Sequence, residues 1–224
     1  MRSLIGAALL PLLAGFNARS GAFSDLAVAP RLVVFSPDGT KGVRLRKGRI
    51  EVVTKGKQRL DQTEIGSLVN AEVLWSPDSK AFSVTYSDGG NVGTYHVKVV
   101  LTTDAGLRIF EPLPDGRKLL VPRCFDPEVP NVGAIRWMGQ GSSRLLIAVE
   151  VPPHSSCASM GTFRAFEIAL PAGYVLASFG QIEAKRDFGA LLGERMRGAD
   201  DRCVQTPLAC VPFGMSGREQ PHGK

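Results

Sequence analysis

The chain has 224 residues, 44% of them hydrophobic and 21% charged, with a formal net charge of +6 at pH 7. This composition is ordinary for a globular protein with an apolar core, and the length fits one domain. The positive charges are scattered, and the one basic stretch contains no interleaved aromatic residues. We therefore expect no nucleic-acid partner.

The N-terminus has the layout of a secretory signal peptide. Arg2 precedes an uncharged apolar run over residues 4–16, and small residues follow it, so that cleavage fits after Ser20 or Ala22. The run is shorter than the about 20 apolar residues that span a bilayer. We predict a signal peptide over residues 1–22 and a periplasmic or secreted mature protein. The alternative is an uncleaved N-terminal anchor.

A five-residue turn sequence occurs twice in the chain. Phe-Ser-Pro-Asp-Gly at 35–39 recurs as Trp-Ser-Pro-Asp-Ser at 75–79. Proline fixes φ at the second turn position, and aspartate and glycine suit the positions that follow. Asp38 and Asp78 are therefore predicted to form turns rather than to bind metal or act as catalytic acids. The aromatic residues Phe35 and Trp75 are predicted to point into the core.

Alternating apolar residues around these turns predict β-strands, because a period of two is that of a half-buried strand. The strands fall into three successive units of four, and residues 138–142 replace the turn sequence in the third unit. The first unit has predicted strands at 32–34, 42–46, 49–53 and 58–64, the second at 73–74, 81–86, 93–101 and 107–110, and the third at 134–137, 144–151, 161–168 and 174–178.

The C-terminal part changes to a helical pattern over residues 181–197. The apolar side of this helix is predicted to consist of Phe188, Leu191, Leu192 and Met196. The helix is our candidate to cover sheet edges that an open array would leave exposed. The predicted organisation is a signal peptide at 1–22, a β-repeat domain of about three blades at 23–179, the helix and a disulfide loop at 180–213, and a disordered tail at 214–224.

Four cysteines follow the predicted signal peptide: Cys124, Cys157, Cys203 and Cys210. An even number in an oxidising compartment implies disulfides, and four cysteines allow three pairings. We favour Cys203–Cys210 because the loop between them is short, which leaves Cys124–Cys157 to join two long loops. The chain has no Cys-x-x-Cys pair and no histidine at ligand spacing from a cysteine pair, so no metal site is predicted.

The order of apolar strand, aromatic residue, Ser-Pro-Asp turn and second strand resembles the repeat of TolB-type β-propellers. The match is good over 32–46 and 72–86 and partial over 134–151, and in all it covers about residues 30–170. The resemblance implies blades that scaffold protein–protein contacts or the entrance of a peptidase.

The resemblance implies an all-β fold, but the number of repeats is small. Propellers have typically about 4–8 blades, and the sequence offers about three. We expect a partial or small propeller-like array of antiparallel blades with a short C-terminal helix. An open twisted stack, a sandwich-like arrangement and a cryptic fourth blade are all compatible with the pattern.

Arg44, Arg46 and Arg49 belong to a local basic cluster, and alternate residues of a hairpin share one face. Such a face fits either a solvated strand pair or a contact with an anionic glycan, a lipid headgroup or an acidic partner. With His154, these arginines are our candidate binding residues. They predict an exported, non-catalytic interaction module of a bacterial-type envelope, which recognises a protein or an anionic surface.

The alternative function is a hydrolase, or an accessory protein of a hydrolase, with its site at the loops that carry Cys124 and Cys157. His154, Asp126 and Glu128 would have to converge there. The sequence has no Gly-x-Ser-x-Gly elbow, no Walker loop, no dinucleotide-binding glycine turn and no His-Glu-x-x-His motif. No catalytic residue and no cofactor are therefore predicted.

Overall fold

The computed structural model of the protein describes residues 33–46, 49–54, 59–64, 71–87, 94–113, 129–153 and 159–205, with the backbone alone for Arg46 and residues 59–64. Within these ranges the chain forms twelve strands and then three short helices. The strands are β1 Val33–Phe35, β2 Lys41–Arg46, β3 Arg49–Thr54, β4 Arg59–Glu64, β5 Ala71–Trp75, β6 Ala81–Ser87, β7 Tyr95–Thr103, β8 Gly106–Phe110, β9 Asn131–Trp137, β10 Arg144–Glu150, β11 Phe163–Ala169 and β12 Tyr174–Phe179. The helices are α1 Gln181–Phe188, α2 Glu194–Arg197 and α3 Arg202–Gln205.

The strands form three four-stranded antiparallel sheets, and in each sheet every strand pairs with its neighbour in sequence. The first sheet contains β1 to β4, the second β5 to β8 and the third β9 to β12. The predicted all-β fold, with a small array of antiparallel blades and a short C-terminal helix, is confirmed. Each of the three units contributes the four strands that the alternating pattern predicts.

The three sheets stack face to face, and each interface is an apolar cluster. Val43 and Ile50 of the first sheet meet Phe82 and Val84 of the second, all four fully buried. The opposite face of the second sheet packs on the third in the same way, with Val99 against Ile147 and their neighbours. The middle sheet is therefore buried on both faces, and both are mainly apolar, with Ser83 and Thr85 as buried polar residues on the face towards the third sheet.

The helical segment covers the far face of the third sheet, where a fourth sheet would otherwise stack. Leu192 and Met196 are buried there against Leu146 and Phe163. The prediction that this segment covers sheet edges is therefore wrong, because its apolar side chains pack on a sheet face. A face buries far more apolar area than an edge, which accounts for the placement.

The helical pattern over 181–197 is interrupted rather than continuous. Helix α1 ends at Phe188, a 3₁₀ turn spans Gly189–Leu191, and α2 begins after Gly193. Glycine is costly in a helix interior because it loses most backbone entropy there. The break leaves Phe188, Leu191, Leu192 and Met196 on one apolar cluster, as the pattern predicts.

Candidate interaction surfaces

The aromatic residues before the turns link each sheet to the one before it. The indole Nε1–H of Trp75 donates to the carbonyl oxygen of Val34 at 2.9 Å, and that of Trp137 donates to Leu74 at 2.9 Å. Phe35, which holds the same place in the first sheet, is 60% exposed. The prediction that Phe35 points into the core is therefore wrong, because no described sheet precedes the first one to cover it.

The turns also contact one another from sheet to sheet. The backbone N–H of Asp38 donates to Ser79 Oγ at 3.1 Å, and Lys41 Nζ donates to the carbonyl oxygen of Ser79 at 2.9 Å. The third turn lies beside the second, since a Cβ added to Gly141 would lie 3.8 Å from Asp78 Oδ2. The turns of all three sheets therefore form a connected polar row along one side of the array.

Asp38 and Asp78 serve as turn residues in the structure. Asp38 Oδ1 accepts hydrogen bonds from Ser36 Oγ at 2.6 Å and from the Thr40 backbone at 2.9 Å, and these bonds lower its pKa to about 2. Burial acts to raise the pKa of Asp78, but hydrogen bonds, led by that from Ser76, outweigh it and leave the pKa below its usual value. Among the described residues, no three His, Cys, Asp or Glu side chains are grouped so as to hold a metal ion.

The register of the sheets shows which residues of each sheet face the preceding one. Phe82 lies opposite Trp75, Leu145 opposite Trp137, and Gly42 opposite Phe35. Every second residue of a strand lies on the same face, so these positions show which residues of the second strand in each sheet lie on the face towards the preceding sheet. That face is Phe82, Val84 and Tyr86 in the second sheet, Leu145, Ile147 and Val149 in the third, and Gly42, Arg44 and Arg46 in the first.

The first sheet therefore has a mixed outer face, with charged positions among apolar ones, where the corresponding faces of the other two sheets are apolar. We call this the first-sheet outer face, and it consists of the positions of Val33, Phe35, Gly42, Arg44, Arg46, Arg49, Glu51 and Val53. Phe35 lies over its own sheet, so that a Cβ added to Gly42 would approach the Phe35 ring to 3.3 Å. A terminal repeat with a polar outer face is how stacked repeats end in water.

The candidate binding arginines occupy positions on this face, and Arg44 forms an ion pair within the sheet. Arg44 donates to the buried carboxylate of Glu51 on the neighbouring strand, with Nε at 2.8 Å from Oε2. Arg49 is exposed on β3, and the backbone places Arg46 opposite it across the hairpin. The backbones of all three arginines thus lie on one hairpin, and the side chain of Arg44 is paired with Glu51.

Charge is unevenly distributed along the sequence. Residues 31–64, which contain the first sheet, have nine lysines and arginines against four acidic residues, which gives +5 of the chain's net +6. The other two sheets and the helices together are close to neutral. The segment that contains the first sheet is therefore the basic part of the sequence, and four of its nine basic residues, Arg31, Lys47, Lys55 and Lys57, lie outside the described residues.

A second unusual surface lies on the outer strand of the third sheet. Tyr174, Val175 and Leu176 at the start of β12 are 72%, 42% and 54% exposed, and we call these three residues the β12 patch. Successive strand residues point to opposite faces, so exposure of three in a row means that both faces of the strand are solvated. Sequence reasoning missed this surface, although the absence of charged residues from 168 to 182 is a visible signal.

The proposed enzymatic site falls largely outside the described residues. His154, Asp126, Glu128, Cys124 and Cys157 are all outside them, and their convergence stays a prediction. The strands next to these loops are paired in the third sheet. Glu150 of β10 lies opposite Asn131 of β9 and opposite Phe163 of β11.

A buried ion pair lies where those strands meet. Arg195 of α2 donates to Glu150 through Nε at 2.9 Å and through a second nitrogen at 2.7 Å, and the Asn131 side chain donates to the same carboxylate at 2.7 Å. The carboxylate is thus held by three donors and fixes the helical segment to the third sheet. Its contacts are those of a structural group.

Of the four cysteines, the structure describes Cys203. It is buried in α3 and disulfide-bonded, and Cys124, Cys157 and Cys210 lie outside the described residues. The pairing of the four therefore stays a prediction. No helix of the described ranges has the length and apolar character to cross a membrane.

Comparison with known proteins identifies no family for this chain. No protein-family model and no curated protein matches it. Among solved structures, it is similar to a chain from a structural and mechanistic analysis of two prolyl endopeptidases, with 12% identity and a TM-score of 0.37 over 67% of this chain and 21% of that one. It is also similar to a chain from a crystal structure of the eukaryotic initiation factor, with 14% identity and a TM-score of 0.29 over 70% of this chain and 46% of that one. This chain spans about a fifth of the first and less than half of the second.

Proposed function

We propose that the protein is an exported, non-catalytic interaction module, built from TolB-type β-propeller repeats, that binds an anionic surface through its first sheet. One observation carries the proposal: positions that are apolar and buried between sheets elsewhere are Gly42, Arg44 and Arg46 in the first sheet. The compartment follows from the predicted signal peptide at 1–22, and the envelope supplies anionic lipids and glycans as ligands.

The amount of positive charge argues for a ligand. Ending a stack of sheets in water requires only a polar outer face, which neutral or mixed-charge residues provide equally well. Residues 31–64, the sequence segment that contains the first sheet, instead have a net charge of +5. A one-signed surface attracts oppositely charged partners and raises their rate of association.

The test is binding of the mature protein to vesicles of neutral lipid with and without about one third anionic lipid, over a range of salt. An Arg46→Gln/Arg49→Gln variant removes two positive charges from the β2–β3 hairpin and leaves the Arg44–Glu51 pair intact. We expect its affinity for the anionic vesicles to fall about tenfold or more, since each basic residue near such a surface contributes about 1 kcal/mol. Binding by the unaltered protein should weaken steeply as salt rises.

The matched control is Arg108→Gln/Arg197→Gln, which removes two exposed arginines from β8 and α2. Its affinity should stay within about twofold of the unaltered protein. Equal losses in the two variants would show that net charge alone attracts the vesicles, and would contradict a site on the first sheet. A soluble acidic polysaccharide run in parallel separates a glycan from a lipid headgroup as the ligand.

The hydrolase alternative receives no support from the described residues. The buried carboxylate of Glu150, at the end of β10, accepts hydrogen bonds from Arg195 and Asn131. Screening of the purified protein for peptidase and esterase activity, with His154→Ala as the comparison, tests this alternative. Turnover that His154→Ala abolishes would replace the present proposal.

A further inference from the structure

The side chain of Phe35 is an exposed aromatic ring with one side against the protein. It is 60% exposed, whereas Trp75 and Trp137, in the same place of the other two sheets, are half-buried and buried. Gly42 lies opposite Phe35 in the sheet and is buried although it has no side chain. A Cβ added to Gly42 would lie 3.3 Å from both Cδ1 and Cε1 of the ring. The ring therefore rests on the backbone of Gly42 and has its other side in solvent.

The backbone that carries this ring is fixed by hydrogen bonds. The next residue, Ser36, is buried, and its hydroxyl donates to the carbonyl oxygen of Lys41 at 3.0 Å. The turn that follows is bound to the second sheet, because Asp38 N–H and Lys41 Nζ both donate to Ser79. A binding group that is already held in place loses little conformational entropy when a ligand arrives. The Phe35 ring is therefore a preformed platform for a flat ligand.

The strand positions that share this face with the ring have a net positive charge. The register places Arg44, Arg46, Arg49 and Arg59 there against Glu51 and Glu64, four arginines against two glutamates. Arg46 lies opposite Arg49, four residues along β2 from Gly42, or about 13 Å from it at about 3.3 Å per residue. A ligand that matches the whole face must therefore combine negative charge with an uncharged group that can stack on an aromatic ring.

We propose that the first-sheet outer face binds an acidic polysaccharide, with one sugar ring stacked on Phe35 and an acidic group of the same polymer at the positions of Arg46 and Arg49. The inference rests on the proposed anionic site and selects a glycan as its ligand. A pyranose ring has a face of C–H groups, which the negatively polarised face of an aromatic ring attracts. The carboxylate, phosphate or sulfate groups of such a polymer accept charge-assisted hydrogen bonds from arginine.

The placement of the ring favours a glycan over a lipid membrane. The apolar interior of a bilayer lies beyond the anionic headgroups, so an anchoring side chain has to project past the basic residues to reach it. Phe35 instead lies against Gly42, on its own sheet. A polysaccharide can lie along the face and meet the ring and the arginines at one depth.

Titration calorimetry of the mature protein with polygalacturonate, alginate and hyaluronate tests the proposal. Polyacrylate is the reference ligand, because it has carboxylates but no sugar rings. Phe35→Leu keeps an apolar side chain beside Gly42 and removes the aromatic ring. It should weaken binding to at least one of the three polysaccharides by about fivefold or more, and leave binding to polyacrylate within about twofold. Phe35→Tyr, which keeps a ring, should bind like the unaltered protein.

The third sheet offers a matched control. Tyr174 is also an exposed aromatic residue, at 72%, and lies on a strand start without basic neighbours in the sequence. Tyr174→Leu should leave the affinity for the polysaccharides within about twofold. Because Phe35 and Tyr174 are both exposed, both leucine variants are expected to fold, which circular dichroism checks.

Salt separates the contribution of the ring from that of the charges. At about 1 M salt the screening length is about 3 Å, so the deficit of the Arg46→Gln/Arg49→Gln variant should shrink. The deficit of Phe35→Leu should stay the same, because stacking does not depend on net charge. A Phe35→Leu deficit that disappears at high salt would overturn the proposal.

The remaining outcomes also decide the question. Failure of the unaltered protein to bind any of the three polysaccharides would overturn the proposal, and so would equal losses in Phe35→Leu and Tyr174→Leu. A Phe35→Leu loss that is as large on polyacrylate or on anionic vesicles would assign the ring to a ligand other than a sugar, with the same consequence.

The two proposals fail separately. If Arg46→Gln/Arg49→Gln loses binding to all polyanions while Phe35→Leu binds normally, the anionic site stands and the sugar contact is overturned. If Phe35→Leu loses polysaccharide binding while the arginine variant binds normally, the anionic site has failed and the sugar contact alone is supported.

Discussion

Trp75 donates its indole N–H to the carbonyl oxygen of Val34, 2.9 Å away in the preceding sheet. Trp137 makes the same bond to Leu74, the residue that precedes Trp75. Each tryptophan thus binds the strand end of the sheet before it, and the bond repeats along the array. The Phe35 side chain has no N–H to donate, and no sheet of the described residues precedes it, so the first of these bonds within the described residues is that of Trp75.

Replacing Trp137 by phenylalanine should cost about 2–3 kcal/mol of unfolding free energy. The change removes volume at a buried site and leaves the carbonyl of Leu74 without its partner, which costs about 1–3 kcal/mol. Trp75→Phe should cost less, about 1 kcal/mol, because Trp75 is half-buried and water can replace the donor. Urea unfolding measures the loss of unfolding free energy in both variants, provided that their m-values are unchanged. Equal losses would contradict the difference in burial between Trp137 and Trp75.

Ser79 occupies the left-handed region, at a φ of 58°, where the first turn has Gly39 at 67°. A non-glycine residue there is strained by about 1 kcal/mol. Its hydroxyl oxygen accepts the hydrogen bond from Asp38 N–H, which offsets the strain. Ser79→Ala and Ser79→Gly both lose the bond, but only glycine relieves the strain, so Ser79→Ala should be less stable than Ser79→Gly by about 1 kcal/mol. The reverse order in thermal unfolding would contradict backbone strain at this position.

Ser83 is fully buried between the second and third sheets, and its hydroxyl has no hydrogen-bond partner. Ser83→Ala should leave stability unchanged or raise it by about 1 kcal/mol, because it removes a buried polar group that makes no bond. Thr85, on the same face, accepts a hydrogen bond from Ala134 N–H at 2.9 Å. Thr85→Val is therefore the control and should cost about 1–3 kcal/mol.

Arg195→Met should destabilise the protein by about 3–5 kcal/mol, because it leaves the buried carboxylate of Glu150 without its charge partner. Adding Glu150→Gln should restore part of the loss, since a neutral amide is cheaper to bury than a carboxylate. The double variant should thus be more stable than Arg195→Met alone. A double variant whose loss is the sum of the two single losses would show that the pair is not coupled.

Acid should remove the stabilising effect of the Asp38 carboxylate. Its pKa falls from 3.8 to about 2 on folding, so this effect is complete above pH 4 and is lost as the pH falls towards 2. Asp38→Asn should be less stable than the unaltered protein at pH 7, by roughly 1 kcal/mol for an exposed group. The two stability curves should converge near pH 2, and a constant gap over that range would contradict the shifted pKa.

The first-sheet outer face and the β12 patch were not equally visible in the sequence. The basic cluster is a run of nearby residues and stands out, although only the register shows that Arg44 occupies a position that is buried between sheets elsewhere and that it pairs with Glu51. The alternating pattern predicts β12 only as an ordinary strand. Whether an apolar strand is covered depends on what packs against it, and the helical segment contacts β12 at Phe179 while residues 174–176 are exposed.

Local chemistry determined the strands and turns of this protein by itself. A period of two and a Ser-Pro-Asp turn act over a few consecutive residues, so all twelve strands and the roles of Asp38 and Asp78 could be predicted. The tertiary structure alone decided which faces meet. Phe35 and Trp75 have the same local sequence, yet Trp75 binds Val34, 41 residues away, and Phe35 is exposed. The difference arises because burial depends on a neighbouring sheet, and the residues beside Phe35 carry no information about one.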